Sequence, residues 1–344
     1  MEFTAYFRCD AGIDHGLGHF SRCYKIANFL KKKYRIKNIF FCHYKSKEFL
    51  DKKKYKNIKI IYLYQKPFSK NEINYFSKNF NPNKKILFFV DSKSNINRYI
   101  KKLSSSFFTI CLDDEKYRNL NCNVLINNNV FAKIDKYKKN NKILYLIGTK
   151  FNFIEEDKSK RPIKSKVKKI IFTFGGEDPR NTSLFFLKTL KKVLINYTVI
   201  IIIGPINKNY EKIKNFLKIN RISNQISINP KNIYNYFRKG DLAISAGGVT
   251  CYELLKLGIP TIGVALNIGQ KKILNYLKIK KCIEIIKVEK KKQTLRRNEV
   301  LVKKIIQNYK VRKDMSQKSK KLMKSDGIKI LIENIFKFYN KNEK

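Results

Sequence analysis

Short runs of β-branched and aromatic residues alternate with amphipathic stretches along almost the whole chain. Such alternation is typical of an α/β fold with parallel sheets. In the first half the runs predict strands at 3–9, 37–42, 58–63, 85–90, 107–112, 123–126 and 143–147. In the second half they predict strands at 167–174, 197–203, 225–228, 241–245, 260–264 and 282–286.

The same pattern predicts a division into domains. Segment 151–166 is polar, contains Arg161-Pro162 and separates two halves of similar layout, so it is interpreted as a linker. We expect a Rossmann-like domain at 1–160, a second one at 161–290, and lysine-rich helices at 291–344 that pack on the domains. Glycine loops from both domains would face a shared cleft that suits an extended ligand, such as a nucleotide joined to another group.

The first glycine loop follows the strand at 3–9 and contains Gly16, Gly18 and His19. Apolar residues then recur at helical spacing, which predicts a helix that begins at this loop. Unpaired N–H groups at a helix start favour a bound anion. The helix dipole also disfavours the charged form of His19, which would keep the imidazole able to accept a proton.

Charged residues around this loop extend the candidate site. Arg8 and Asp10 leave the first strand at its carboxyl end, where ligands bind in open α/β sheets, and Arg22 lies one helical turn beyond His19. In the alternative interpretation, His19 only packs at the helix start or faces solvent. A zinc site is disfavoured, because the glycines interrupt a regular helix and the chain has no second Cys-x-x-Cys pair. Its ligands would have been Cys9, His15, His19 and Cys23.

Two further glycine loops lie in the second half. They are candidates for a diphosphate cradle made of backbone N–H groups, with Glu253 accepting hydrogen bonds from a ribose diol. In the alternative interpretation, Glu253 is an acid that the helix dipole favours. The predicted nucleotide-binding residues are Gly175, Gly176, Ser245, Gly247, Gly248, Val249, Thr250 and Glu253.

The net charge of +50 suggests an anionic partner, but the kind of charge argues against specific nucleic-acid binding. Most of the 76 basic residues are lysines scattered along the chain, whereas arginine suits bidentate recognition of bases and phosphates. We therefore expect a solvated surface with weak adhesion to polyanions and weak peripheral attachment to membranes. A non-enzymatic polyanion-binding protein is the alternative from another functional class.

The scattered, odd number of cysteines indicates a reduced cytoplasmic protein. The sequence shows neither a signal peptide nor an apolar run long enough to span a bilayer. We expect a monomer.

Three motifs together resemble a known family. They are Gly16-x-Gly18-His19-x-x-Arg22, Phe174-Gly175-Gly176-x-Asp178 and the segment from Ser245 to Glu253. The chain is similar to the nucleotide-sugar hydrolases of pseudaminic acid biosynthesis, which are related to SpsG and to the GT-B fold of the peptidoglycan GlcNAc transferase. The similarity covers about residues 1–285 and includes Asp113-Asp114-Glu115 and the asparagine-rich run at 125–129.

The resemblance implies a GT-B-like fold with two Rossmann-like domains whose parallel sheets face a central cleft. It also implies that His19 acts as the general base on a water molecule that attacks the anomeric carbon of a UDP-2,4-diacetamido-2,4,6-trideoxyhexose and expels UDP. No metal or cofactor is expected. The alternative is a GT-B glycosyltransferase of surface polysaccharide synthesis. The implied substrate-binding residues are Arg8, Asp10, Gly16, Gly18, Arg22, Asp91, Asn267 and Gln270.

The chain departs from the family pattern at three places, and the first two would fall near the sugar side of the cleft. Asp91 is followed by Ser92-Lys93-Ser94 instead of a nearby tyrosine. The family's Gly-x-x-Tyr-Ala-Leu sequence is replaced at 148–153, and its Asn-Gln pair is split into Asn267 and Gln270. These changes leave the predicted UDP site intact and bear on the identity of the sugar and of the acceptor.

Overall fold

The structure is a computed structural model. It describes residues 3–12, 18–50, 55, 58–81, 85–114, 117–154, 162–176, 178, 180–204, 207 and 209–342.

The described residues form thirteen strands and twelve α-helices. The strands are β1 (Thr4–Cys9), β2 (Lys37–His43), β3 (Lys59–Leu63), β4 (Ile86–Asp91), β5 (Phe108–Leu112), β6 (Val124–Asn127), β7 (Leu144–Ile147), β8 (Lys169–Thr173), β9 (Thr198–Ile203), β10 (Asn224–Ile228), β11 (Leu242–Ala246), β12 (Thr261–Val264) and β13 (Ile283–Ile286). The helices are α1 (Gly18–Tyr34), α2 (Lys70–Asn79), α3 (Asn97–Leu103), α4 (Thr182–Thr189), α5 (Lys191–Leu194), α6 (Tyr210–Ile219), α7 (Tyr234–Phe237), α8 (Val249–Lys256), α9 (Ile268–Ile279), α10 (Lys292–Gln307), α11 (Tyr309–Leu322) and α12 (Gly327–Asn342). Every predicted strand is confirmed to within two residues at each end.

The strands form two sheets in which all pairings of the described residues are parallel. One sheet has the order β3-β2-β1-β4-β5-β6-β7, and the other has the order β10-β9-β8-β11-β12-β13. In both sheets the strand that comes first in sequence lies in the interior. The next two strands are added on one side of it and the later strands on the other side, so the strand order reverses there. Ligands of open α/β sheets bind at the carboxyl ends of the strands at such a reversal. The relevant positions are therefore the ends of β1 and β4, and of β8 and β11.

The chain divides into two compact units, residues 1–156 with 325–344, and residues 157–324. In the first unit, side chains alternate along the strands between two apolar layers. Phe7 and Phe89 lie in the layer that includes α1, and Tyr6 and Phe88 lie in the layer that includes α2 and α3. Burial on both faces explains why these strands are almost continuously apolar.

Helix α12 is the last element of the chain, yet it packs on the first unit. Ile328, Leu331 and Ile335 are buried in the same apolar layer as the residues of α1. Its first residue, Gly327, lies so close to Asn152 that a Cβ atom there would be 2.5 Å from the Asn152 backbone nitrogen. Only glycine permits this approach, which fixes the start of α12 beside residues 149–154.

The second unit repeats the arrangement around β8–β13. Ile170 and Phe172 of β8 pack into one apolar layer, and Ile171 packs into the layer on the other face. Helices α10 and α11 belong to this unit, and Arg312 of α11 is buried. Its Nη2 donates to the carbonyl of Ser165 at 2.6 Å, which ties the segment before β8 to α11. The predicted boundary between residues 160 and 161 lies outside the described residues.

Candidate functional site

The carboxyl ends of β1 and β4 bring together three residues that are far apart in sequence. Asp91 is the last residue of β4, and its carbonyl accepts a hydrogen bond from the backbone N–H of Asp10, which follows β1. His19 is the second residue of α1 and is 4% exposed. These positions follow from strand order, because β1 pairs with β4.

His19 and Asp91 form a hydrogen-bonded dyad. The Nδ1 atom of His19 lies 2.7 Å from Oδ1 of Asp91, and Asp91 is fully buried. An ionised carboxylate only accepts hydrogen bonds, so Nδ1 carries the proton and Nε2 is left as the basic nitrogen of the neutral ring. The dyad thereby selects the tautomer that a general base at Nε2 requires.

Arg22 fixes the carboxylate from its other side. Its guanidinium donates to both oxygens of Asp91, and its Nη1 lies 2.6 Å from Oδ1 of Asp114, which follows β5. Burial alone would raise the pKa of Asp91, but the charge of Arg22 and the hydrogen bonds from Arg22 and His19 outweigh it. The pKa of Asp91 is therefore held well below its usual value. The pKa of Asp114 is lowered for the same reason: Arg22 outweighs burial.

Arg8 was predicted to contact the substrate, but the contacts that the structure gives it are internal. The side chain is 1% exposed, and its Nε lies 2.7 Å from Oε1 of Glu72 on α2. Tyr99 donates to the same oxygen at 2.8 Å, and the guanidinium lies over the ring of Phe68. Arg8 thus supports the end of β1 from the layer opposite His19. The sequence did not point to Glu72, because its partner is 64 residues away.

Asp10 accepts a hydrogen bond from the hydroxyl of Ser92 at 2.5 Å, which links the residues that follow β1 and β4. Gly18 is the exposed first residue of α1, and no heavy atom lies within 4 Å of the position where its Cβ would be. Gly16 and His15 lie outside the described residues. Of the predicted substrate contacts of this unit, Arg8, Arg22 and Asp91 therefore lie inside buried ion pairs. Asp10 is also buried, with its Oδ1 3.9 Å from Nη1 of Arg8, and Gly18 is exposed beside the dyad.

In the second unit the two glycine loops differ in what they offer an anion. Gly175, with a φ of 88°, and Gly176 follow β8. The helix after them, α4, is already capped: the carboxylate of Asp178 accepts hydrogen bonds from the backbone N–H groups of Thr182 at 2.7 Å and Ser183 at 2.9 Å. A carboxylate at that position would repel a phosphate from the start of α4.

Among the described residues, no side chain caps the start of α8, which follows β11. Gly248 is the N-cap of α8 and makes no side-chain cap, and the half-buried Val249 and Thr250 form the first turn. A Cβ on Gly248 would meet nothing within 4 Å, whereas a Cβ on Gly247 would lie 2.7 Å from Cγ of Leu274. Gly247 is thus required by packing. Gly248 keeps the start of α8 accessible to a ligand, as anion binding at a helix N-terminus requires.

The remaining predicted residues of this unit lie near the carboxyl ends of its strands. Ser245 is buried and its hydroxyl donates to the carbonyl of Ala246 at 3.1 Å. Glu253 is 5% exposed and accepts a hydrogen bond from the hydroxyl of Tyr234 at 3.3 Å. Asn267 and Gln270 form a cap at the start of α9: Oδ1 of Asn267 accepts from the N–H of Gln270 at 2.9 Å, and Oε1 of Gln270 accepts from the N–H of Leu266. Their role toward a sugar stays a prediction.

The part of the chain that the structure describes contains no cluster of three or more His, Cys, Asp or Glu residues that could hold a metal ion. The cysteines are all free and buried. Burial is the largest of the causes that raise the pKa of the Cys9 thiol well above its usual value. Among the described residues, no helix has the length and apolar character needed to cross a membrane.

The fold and the family comparison together define the class of protein. Residues 159–331, half of the chain, match the family described as glycosyltransferase family 28 C-terminal domain. The α/β fold with two parallel sheets matches that of solved GT-B glycosyltransferases. The chain belongs to the glycosyltransferase family 28 C-terminal domain family.

Three individual proteins are similar to this chain. The uncharacterized protein MJ1062 of Methanocaldococcus jannaschii is 28% identical over 284 residues, which cover 78% of this chain and 57% of that protein. The alignment thus spans little more than half of the relative's length. The crystal structure of Acinetobacter baumannii MurG has a TM-score of 0.66 at 11% identity, covering 97% of this chain and 99% of that one. The calicheamicin glycosyltransferase CalG4 has a TM-score of 0.61 at 9% identity, covering 99% of both chains. At such identities the likeness shows the fold alone.

Proposed function

We propose that this protein hydrolyses a UDP-sugar at the anomeric carbon, with the second unit binding UDP and the first unit supplying the general base. The observation that carries the proposal is the hydrogen bond from Nδ1 of His19 to the buried carboxylate of Asp91. That bond leaves Nε2 as the acceptor for a proton, which is the property a base needs at neutral pH.

In this mechanism a water molecule attacks the anomeric carbon and gives its proton to Nε2 of His19. The bond between the anomeric carbon and the phosphate oxygen breaks, and its electron pair stays on UDP. Asp91 stabilises the imidazolium that forms, while Arg22, which also pairs with Asp114, holds Asp91 in place. A positioned base of this kind contributes about 10²–10⁴ to the rate.

The leaving group is stabilised in the second unit. We propose that the diphosphate binds the N–H groups of Val249 and Thr250 at the start of α8, where a Cβ on Gly248 would meet no atom within 4 Å. The loop of Gly175 and Gly176 would contact the same ligand through its own backbone, because the N–H group of Thr182 at the start of α4 already donates to the carboxylate of Asp178. Glu253 would accept hydrogen bonds from the ribose.

The proposed substrate is a UDP-2,4-diacetamido-2,4,6-trideoxyhexose of pseudaminic acid biosynthesis. The support for this finer assignment is the resemblance of the three glycine motifs to the hydrolases of that pathway. The family match favours a second candidate, transfer of the sugar to a hydroxyl other than water, because the matched family is one of glycosyltransferases. Both candidates use the same base and the same leaving group.

One experiment tests the reaction directly. The protein is incubated with candidate UDP-sugars in ¹⁸O-labelled water, and the free sugar and UDP are analysed by mass spectrometry. We expect the label in the sugar only, and a rate about 10²–10⁴ lower in His19→Asn, with UDP affinity unchanged. His15→Asn serves as the matched control, in which we expect a much smaller effect. Label in UDP would show attack at phosphorus, and a fully active His19→Asn would contradict the role of the dyad.

A further inference from the structure

Two polar runs lie at the ends of neighbouring strands of the first sheet. The acidic run at 113–115 follows β5, and the asparagine-rich run at 125–129 includes the end of β6. Because β5 and β6 pair in parallel, their carboxyl ends lie side by side. Asn127, the last residue of β6, is fully buried, and Asp114 binds Arg22 through both of its carboxylate oxygens. The runs are therefore connected to the dyad through one arginine.

The side-chain amide of Asn127 is fully used by hydrogen bonds. Its Nδ2 donates to the carbonyl of Asp114 and, at 2.8 Å, to the hydroxyl of Tyr137. Its Oδ1 accepts from the backbone N–H of Asn129 at 3.1 Å and from the side-chain amide of the same residue at 3.2 Å. An amide has two N–H donors and one oxygen with two lone pairs, so a reversed amide would place oxygen against the carbonyl of Asp114. Asn127 thus has one orientation, in which it fixes the backbone of Asp114.

Tyr137 connects Asn127 to the residue before Asp114. Its buried hydroxyl donates to Oδ2 of Asp113 at 2.8 Å. Burial, together with the charge of Asp113, raises the pKa of Tyr137 well above its usual value, so the hydroxyl stays protonated and remains a donor. The other oxygen of Asp113 accepts from Nε of Arg118 at 2.8 Å. The loop after β5 is therefore held at the side chain of Asp113 and at the carbonyl of Asp114.

The position of Asp114 determines what Arg22 offers to the imidazole. Nη2 of Arg22 carries two hydrogens, and it donates to Oδ1 of Asp91 and, at 3.1 Å, to Oδ2 of Asp114. The same Nη2 lies 3.3 Å from Nδ1 of His19. If Asp114 moved away, the released N–H would be free to donate to Nδ1, which must then be the unprotonated nitrogen. The proton would lie on Nε2, and the ring would have no basic nitrogen there.

We propose that Asn127 and Tyr137 are positioning residues that select the tautomer of His19. They act through Asp114 and Arg22: the hydrogen bonds hold the loop after β5, the loop keeps Asp114 on Nη2 of Arg22, and that nitrogen donates to carboxylates instead of to the imidazole. Nδ1 of His19 is then left to donate to its own carboxylate partner. This inference rests on the proposed function, because the tautomer matters for a base that acts at Nε2.

The tautomer is measured first, without substrate, by long-range ¹H–¹⁵N NMR of protein labelled with ¹⁵N-histidine at a pH where histidine is neutral. The chain has three histidines, and His19→Asn assigns the signals of His19. We expect the proton on Nδ1 in the wild type, signals shifted toward the Nε2-protonated ring in Asn127→Ala, and a smaller shift in Tyr137→Phe. Asn123→Ala is the matched control, because Asn123 precedes β6 and accepts from the N–H of Thr109 at the opposite end of the same strands.

Steady-state kinetics with a UDP-sugar gives the second readout. For metal-binding histidines, loss of a residue that orients the ring typically costs about 10–100-fold in activity, and we expect kcat of Asn127→Ala to fall by about tenfold. The fall should be smaller in Tyr137→Phe, and KM should be nearly unchanged in both variants. Tyr145→Phe should match the wild type, because its hydroxyl donates to the carbonyl of Lys138 instead of to Asp113.

A folded Asn127→Ala protein with the wild-type tautomer would overturn the proposal, even if its kcat were lower, because the asparagine would then have only a structural role. If that variant does not fold, Tyr137→Phe decides, and an unchanged tautomer in it would overturn the proposal. Absence of UDP release from the wild type would instead contradict the proposed function, and the tautomer measurement would still decide the positioning role.

Discussion

The imidazole of His19 and the carboxylate of Asp91 lie 2.7 Å apart, although the two residues are 72 positions apart in sequence. The pairing depends on β4 lying next to β1, which places the last residue of β4 beneath the start of α1. A carboxylate that is itself held by Arg22 cannot rotate away from the imidazole. The orientation of the proposed base is thus fixed by two strands and one helix of the same unit.

Asp91→Asn should lower kcat strongly and leave UDP affinity unchanged. An amide at this position no longer selects the tautomer with its proton on Nδ1, and we expect a loss on the order of 10²–10⁴. Steady-state kinetics and calorimetric UDP binding measure the two quantities. Cys23→Ala is the control, because its thiol lies 3.7 Å from the same carboxylate without contributing to the tautomer. A folded Asp91→Asn enzyme with wild-type kcat would contradict this role.

Acid should destabilise the first unit through the same ion pairs. The pKa values of Asp91 and Asp114 are lower in the folded state than their ordinary value of 3.8. The ionised carboxylates therefore stabilise the fold fully above about pH 5, and this contribution is lost as the pH falls through 4, where the unfolded chain binds protons that the folded chain does not.

Urea unfolding at pH 7, 5, 4 and 3, followed by circular dichroism, measures this loss. Asp114→Asn should be less stable than the wild type at pH 7 and should lose less of its remaining free energy of unfolding between pH 5 and pH 3. Asp314→Asn is the matched control, because Asp314 pairs with Lys318 at the surface and such pairs contribute little. Identical pH profiles for the wild type and Asp114→Asn would refute the assignment.

The two glycines after β11 should respond differently to alanine. Gly247→Ala places a methyl group 2.7 Å from Cγ of Leu274. It should lower the free energy of unfolding by about 1–3 kcal/mol and therefore lower the melting temperature. Gly248→Ala meets no atom within 4 Å, so the melting temperature should be nearly unchanged while UDP affinity falls. Differential scanning fluorimetry with and without UDP separates the effects. Undiminished UDP affinity in Gly248→Ala would place the diphosphate elsewhere.

Glu253→Ala should weaken UDP binding by roughly 1.5–3 kcal/mol, the range for hydrogen bonds to a charged group. Tyr234→Phe removes the hydrogen-bond partner of Glu253 but keeps the carboxylate, and should have a much smaller effect. Isothermal titration with UDP and with UMP measures both. If UDP binds Glu253→Ala and the wild type equally well, Glu253 has no part in the site.

The sequence was sufficient to predict the strands, because each is a short apolar run with polar or glycine residues on both sides. It was also sufficient to predict that α1 and α8 begin at glycine loops. It could not pair His19 with Asp91 or Arg8 with Glu72, since such contacts depend on which strands are neighbours. The sequence did show that two carboxylates, Asp10 and Asp91, each directly follow a predicted strand, which is where a site in a parallel sheet is expected.

The sequence also could not predict on which unit α12 packs. An amphipathic helix can cover any apolar face of suitable width, and nothing in the pattern of Ile328, Leu331 and Ile335 distinguishes the first unit from the second. The close approach of Gly327 to Asn152 decides the position, and that approach involves backbone atoms that a hydrophobic pattern does not report.

The return of α12 to the first unit has a consequence for biosynthesis. The ribosome makes β1–β7 first, but the apolar layer that they share with α1 is completely covered only after α12 has emerged, when the whole second unit has already been made. Until then, the part of the layer that α12 covers is exposed, and exposed apolar surface binds chaperones and promotes aggregation. Phe3 touches Phe336 and Tyr339 of α12, with ring centroids 5.3 and 5.0 Å apart. A circularly permuted gene that places α12 ahead of β1 would let the first unit close during its own translation.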